Sequence, residues 1–178
     1  MSDAPEFSRT VRVDTLTGKA RNHSIGADEK ERAALAERFG LASIERLSAE
    51  ADLKRVGDEV TAVGTLSASV VQSCVATGEP VAAEIDEDFS IVFRPHREPA
   101  GAEEEIELSE GELDVVFYEG LNIDLGEAVA ETLSLSLDPY PRAPDADAAL
   151  REAGVKSEEE VEPAGPLAGL KDLLEGKK

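Results

Sequence analysis

The sequence predicts an α+β fold: a curved antiparallel β-meander sheet of five or six strands, covered by two helices and followed by a flexible acidic C-terminal tail. Barrel-like closure of the sheet is left open. Three observations carry this prediction. Three consecutive segments in the middle of the chain alternate apolar and polar residues and are separated by short turns. Two other segments pair an acidic capping residue with helical apolar spacing. Charge is also uneven. Residues 1–97 hold 12 basic and 17 acidic residues, a net of −5, whereas residues 98–178 hold 6 and 22, a net of −16.

The elements follow in chain order. Phe7, Val11 and Val13 share one parity, while Ser8, Thr10, Arg12 and Asp14 take the other, as in a half-buried strand. Residues 16–22 read as a loop and 23–27 as a second short strand. Asp28 with Glu31 forms a capping box for a helix whose stripe is Ala34, Leu35 and Phe39, and Gly40 is placed to end it. Leu47, Ala49, Ala51 and Leu53 then alternate with Ser48, Glu50, Asp52 and Lys54. Gly57-Asp58 supplies a turn. Val60, Ala62, Leu66, Ala68 and Val70 form the apolar face of the next strand. After a turn at 77–80, Val81, Ala83, Ile85, Phe89, Ile91 and Phe93 alternate with Glu84, Asp86, Asp88 and Ser90. The wet face of this third long strand is therefore acidic.

A Pro/Gly/Glu-rich connection leads to a further strand around Leu113, Val115 and Phe117. Asp124 with Glu127 predicts a second capping box, and Leu125, Val129, Leu133 and Leu137 give the helix an apolar face. Asp138-Pro139-Tyr140-Pro141 ends it. The domain prediction is a body over 1–141, an acidic flexible linker over 142–165 and a short amphipathic helix over 166–175, with Leu167, Leu170 and Leu174 on one face.

Composition excludes several classes of function. The 178 residues carry a net charge of −21 and are 41% apolar, 32% charged and 4% aromatic, with no Trp. Such a balance disfavours a broad basic grip on nucleic acid or an anionic membrane and favours a cationic protein partner. One cysteine, Cys74, and two histidines, His23 and His96, fall short of the three or four ligands of a closed metal site, and Cys74 lacks a disulfide partner within the chain. No nucleophile–base constellation or phosphate-binding glycine loop occurs. The expectation is a non-enzymatic protein with no cofactor and no catalytic residues. The start of the chain lacks a basic region and an apolar run, and no stretch approaches the roughly 20 apolar residues of a membrane span, so a cytoplasmic location is expected.

Two segments carry a family resemblance. Residues 70–81, including Gln72, Ser73, Cys74, Thr77, Glu79 and Pro80, resemble the hairpin of the YceD family of bacterial proteins, with plastid relatives, named for accumulation of large-subunit ribosomal RNA. Residues 122–129, followed by 135–139, resemble the family's acid-capped helix and its apolar-Pro stop. The C-terminal residues 165–171 are similar to the short apolar-plus-Lys ending of many members. Many members place a Cys-x-x-Cys pair at the hairpin tip; here Cys74 matches the first and Thr77 stands at the second. Parity groups Cys74 with Val60, Leu66 and Val70, as a small buried residue.

The resemblance implies a ribosome-biogenesis factor supporting large-subunit rRNA accumulation. With the charge, it suggests that the protein holds a basic ribosomal protein of the large subunit, masking its Lys and Arg from stray phosphate. The candidate contacts are the helix starting at Asp124, through Asp124, Glu127 and Glu131, and the acidic tail, with Leu167, Leu170 and Leu174 as a tethered docking element. The alternative is direct rRNA binding, which requires Arg9, Arg12, Arg46, Arg94 and Arg97 to gather into one patch.

Overall fold

The computed structural model describes residues 5–96 and 114–156. Seven strands form two sheets. A five-stranded sheet has the order β2-β3-β4-β5-β6, built from Arg21–Gly26, Ser43–Val56, Glu59–Ser73, Pro80–Pro95 and Asp114–Tyr118. A separate two-stranded ribbon joins β1 (Thr10–Arg12) to β7 (Asn122–Asp124). The helices are α1 (Glu29–Phe39), α2 (Leu125–Ser136) and α3 (Ala146–Glu152).

The three long strands are the predicted meander. In the pairing of β3 with β4, Leu47 lies opposite Ala68, Ala49 opposite Leu66 and Leu53 opposite Ala62, so one face is continuously apolar. A one-residue register shift between Ile44 and Arg46 lets β3 begin at Ser43, earlier than the clean alternation suggested. The pairing of β4 with β5 is equally regular from Val60 and Phe93 to Ser73 and Pro80.

The topology answers the question of closure and corrects several expectations. Among the described residues the sheet does not close into a barrel, and β2 and β6 are its two edges. The sheet is not wholly antiparallel, because β6 runs parallel to β5. A period of two is the same in either direction, so alternation cannot reveal this. The N-terminal strand shrinks to three residues and leaves the main sheet to pair with β7, with Val13–Thr15 forming a 3-10 turn. Finally, a third helix, α3, lies within the stretch expected to be a flexible linker. The predicted tail beyond residue 156 and the helix over 166–175 lie outside the described residues.

Both predicted helix starts are present. The Asp28 side chain accepts from the amides of Lys30 and Glu31, and Glu31 returns a bond to the Asp28 amide, completing a capping box. Gly40 ends α1 at φ 66°, where a side chain would be strained. At α2, Asp124 accepts from the amides of Gly126 and Glu127, but the Glu127 side chain does not close the box. It binds Arg38 of α1 instead, at 2.8 and 3.1 Å. Arg38 also holds Glu6, and Arg9 forms a two-pronged pair with Glu31 at 2.7 and 2.8 Å. The N-terminal segment and both helices are thus stitched together. The Arg9 bond holds the Glu31 carboxyl below its ordinary range.

α1 and α2 cover the same face of the sheet. Leu35, Leu125, Val129 and Leu133 are fully buried there against Leu53, Val60, Leu66 and Ile91. α2 approaches the N-terminal segment closely at Gly126, where a Cβ would stand 2.5 Å from the Phe7 carbonyl oxygen. Among the described residues, neither α1 nor α2 packs on the opposite face of the sheet. Among the described residues, no helix is long and apolar enough to cross a membrane.

His23 lies half-buried on β2, paired with Ala51, and its Nε2 is buried without a hydrogen-bond partner. Burial, with a smaller contribution from Arg21, lowers its pKa below the ordinary 6.5. The unfolded chain therefore takes up a proton first as pH falls, so stability declines below about pH 6.5. The lowered Glu6, Asp14 and Glu31 carboxyls add their own losses only at more acidic pH. We expect the urea midpoint to fall between pH 7.5 and 5.5, and His23→Leu to flatten that fall. An equal fall in the variant would remove His23 as the cause.

Candidate functional site

Two regions gather the residues singled out in the sequence: the β4–β5 hairpin end and the uncovered face of the sheet. At the hairpin, Gln72 is the last inward-facing residue of β4. It is buried, and its Nε2 donates to the Asp138 carbonyl at 2.9 Å. Ser73 is exposed and pairs with Pro80. The Cys74 amide donates to the Glu79 carbonyl at 2.7 Å, closing the turn. The Val75 amide donates to the Pro141 carbonyl at 2.9 Å, and the Ala143 amide donates to Cys74 Sγ at 3.3 Å. Thr77 is half-buried, while Glu79 and Pro80 are exposed; the Glu79 amide donates to the Thr77 hydroxyl at 3.3 Å.

The hairpin therefore clasps the chain that leaves α2. Three bonds join the hairpin to the chain after α2, more than 60 residues away, and the one from Gln72 to Asp138 links the two segments that resemble family motifs. Cys74 is buried, as its parity suggests, but not beside Val60, Leu66 and Val70. It packs with Ala143 and Ala146 in a small separate cluster, because β4 ends at Ser73 and the turn carries Cys74 away from the main core. This cluster is why α3 exists: Ala146 is 1% exposed and seats the helix on the hairpin.

The Ala143 amide, and next the Thr77 hydroxyl, favour the Cys74 thiolate and bring its pKa down to about 7 from 9.0. Alkylation should be slow, since the residue is 3% exposed, yet titrate with a midpoint near pH 7. Thr77→Val should move that midpoint upward. A midpoint unmoved by the substitution would remove the hydroxyl from this role. Among the described residues, no group of three or more His, Cys, Asp or Glu side chains is placed to hold a metal ion.

The acidic contacts chosen from the sequence separate. Asp124 is half-buried and fully engaged: it caps α2, accepts from the Arg9 amide at 2.8 Å and accepts from the Ser8 hydroxyl. Glu127 is held by Arg38. Only Glu131 of the three is exposed. Leu167, Leu170 and Leu174 lie outside the described residues.

The larger acidic feature is the open sheet face. There β5 presents Glu84, Asp86 and Asp88, spaced about 7 Å apart along the strand. Each accepts from a hydroxyl directly opposite on β4: Ser69 to Glu84, Ser67 to Asp86 at 2.6 Å and Thr65 to Asp88 at 2.9 Å. On β3, Glu50 and Asp52 extend the carboxylate rows, with Asn22 of β2 donating to Asp52 at 3.1 Å. The hydroxyls orient these carboxylates without neutralising them, so the negative field stays outward. Arg46, which reaches Glu84 at 3.1 Å, and Lys54 are the basic residues of β3 on this face. The acidic wet face was legible in the alternation of β5; its extension across β3 required the register.

The arginines do not gather. Arg9 pairs with Glu31, Arg12 with Asp14, Arg46 with Glu84 and Arg94 with Glu59; Arg9 and Arg12 share the N-terminal stretch, while Arg46 lies on β3 and Arg94 at the far end of β5. Arg97 lies outside the described residues.

A family model described as "Large ribosomal RNA subunit accumulation protein YceD" matches residues 62–174, more than half of the chain. The match includes the hairpin, the acidic strand β5 and the helix capped by Asp124. Searches of curated proteins and of solved structures give no match.

Proposed function

The chain belongs to the YceD family, and from that premise we propose that it supports accumulation of large-subunit ribosomal RNA as a non-enzymatic factor that holds a basic ribosomal protein of the large subunit. The observation that carries this reading is the open acidic face: carboxylates in register across β3 and β5, oriented by hydroxyls and left uncovered by either packed helix. A surface of this sign raises the local concentration of cationic chains and repels phosphate. It would shield Lys and Arg of a ribosomal protein until its rRNA site is available. This moves the contact away from Asp124 and Glu127, whose carboxylates serve internal bonds, and onto the sheet.

Direct rRNA binding has less support, because Arg9, Arg12, Arg46 and Arg94 each face a carboxylate and lie apart. The deciding experiment is capture of purified large-subunit ribosomal proteins by the full chain at low and near-physiological salt, beside naked rRNA as competitor. The expected result is retention of a defined basic ribosomal protein, weakening as salt rises, with no retention of rRNA alone. Tight binding of naked rRNA with no ribosomal protein retained would overturn the reading.

A further inference from the structure

The open face is not uniformly acidic. Val63 lies on the polar parity of β4 and is 52% exposed, and Val56, across from Glu59, is 64% exposed. Beside them Val92 of β5 pairs with Val115 of β6, both half-buried, and Phe117 is 61% exposed next to Arg94. Val63, Val92, Val115 and Phe117 form a diagonal apolar zone across β4, β5 and β6, beyond Asp88 on β5 and bordered by Asp52 and Glu59, while Val56 stands apart from it across Glu59. The His96 ring meets Phe117 edge-on at 6.2 Å, and the Arg94–Glu59 pair at 2.9 Å stands in the same cross-strand row, between Val56 and Phe117. Grouped apolar side chains beside a carboxylate row give this end of the face a different binding chemistry from the rest.

Resting on the reading above, we propose that this face docks an amphipathic cationic segment of a partner protein in two zones, its Lys and Arg over Glu84, Asp86 and Asp88 and its apolar anchor over Val63 and Phe117. Charge complementarity selects the occupant. A lipid surface and an RNA strand both carry the wrong sign for the acidic zone, and an all-polar basic tail leaves the apolar zone wet. Spacing narrows it further. Asp88 and Val92 are four residues apart on β5, about 14 Å at strand rise. Val63 lies opposite Ser90, two residues beyond Asp88, and Phe117 opposite Arg94, six beyond it, so an extended segment needs apolar side chains starting about two residues past its last cation.

The test uses the full chain and two fluorescein-labelled synthetic peptides of equal charge. One alternates Lys and Ser and ends in Leu-Ser-Phe; the other carries Ser in place of Leu and Phe. The anchored peptide should bind about tenfold tighter by anisotropy, and both should weaken as salt rises. In the double variant Val63→Thr, Phe117→Ser, that tenfold gap should vanish while the all-polar peptide binds as before. Both positions are exposed, so the melting curve should be unchanged and a folding failure would be visible. Equal affinities in the native chain, or a gap that survives in the double variant, would overturn the proposal. The same variant separates this idea from the one beneath it. If it captures the basic ribosomal protein as well as the native chain does, the apolar zone is wrong and the holding function stands. If the native chain captures no ribosomal protein, the holding function itself fails.

Discussion

Replacing Glu84, Asp86 and Asp88 together by lysine should weaken capture of a basic ribosomal protein by on the order of a hundredfold at low salt. Single exposed ion pairs contribute little, since water and salt screen them. Three reversals in one row act differently, because each removes an attraction and adds a repulsion at the same place. The side chains are exposed and their only described protein partners are the hydroxyls of β4 and Arg46, so the fold should persist. The neutral variant Glu84→Gln, Asp86→Asn, Asp88→Asn should lose roughly half of that effect on a logarithmic scale. Raising the salt should shrink both losses. The measurement is a titration of the purified ribosomal protein at two salt concentrations, with thermal melts of each variant. Undiminished capture by a lysine variant that melts like the native chain would remove the sheet face from the mechanism.

The second large effect is structural. Gly64→Ala should destabilise the chain by about 3 kcal/mol. Local propensity predicts the opposite sign, because glycine inside a strand costs about 0.5–1 kcal/mol relative to alanine. Packing overrides it. A Cβ at Gly64 would stand 2.1 Å from the Glu50 carbonyl oxygen and 2.7 Å from Ala51 Cα. Both are backbone atoms of the neighbouring strand, so no rotamer change can relieve the contact. Relief requires β3 and β4 to part at the centre of the sheet, where Gly64 also faces Phe89 of β5. Urea unfolding measures the change. Gly18→Ala is the control: its nearest neighbour would be the Arg55 carbonyl oxygen at 4.0 Å, so no loss is expected. A Gly64→Ala variant as stable as the native chain would mean that the two strands do not approach this closely.

The hairpin clasp explains why the two segments resembling the family belong together. Gln72 is the last inward residue of β4 and Cys74 continues its parity just beyond the strand, an arrangement that alternation alone treats as an imperfect core strand. Their purpose becomes visible only when the carbonyls of Asp138 and Pro141 and the amide of Ala143 arrive against them. The same holds for Glu127. Its position three residues after Asp124 satisfies the local pattern of a capping box, yet Arg38 offers a charged partner across the helix interface and wins.

What the sequence determined by itself is what local periodicity and local chemistry encode. The Asp28 cap and the Gly40 stop fix α1, the alternation fixes which faces of β3, β4 and β5 are apolar, and the acids of β5 place negative charge on the outer one. Strand direction, strand order and the partners of polar side chains were decided by the tertiary structure. A period of two is blind to whether a neighbour runs parallel, so the pairing of β6 could not be read, nor could the transfer of β1 to a ribbon with β7. Hydrogen bonds between residues 60 or more positions apart leave no spacing in the chain, and α3 is held by burial of Ala146 against the hairpin more than by propensity of its own. The two-zone character of the open face has the same origin: Val63, Val92 and Phe117 are isolated in sequence, and only the register of three strands makes them neighbours.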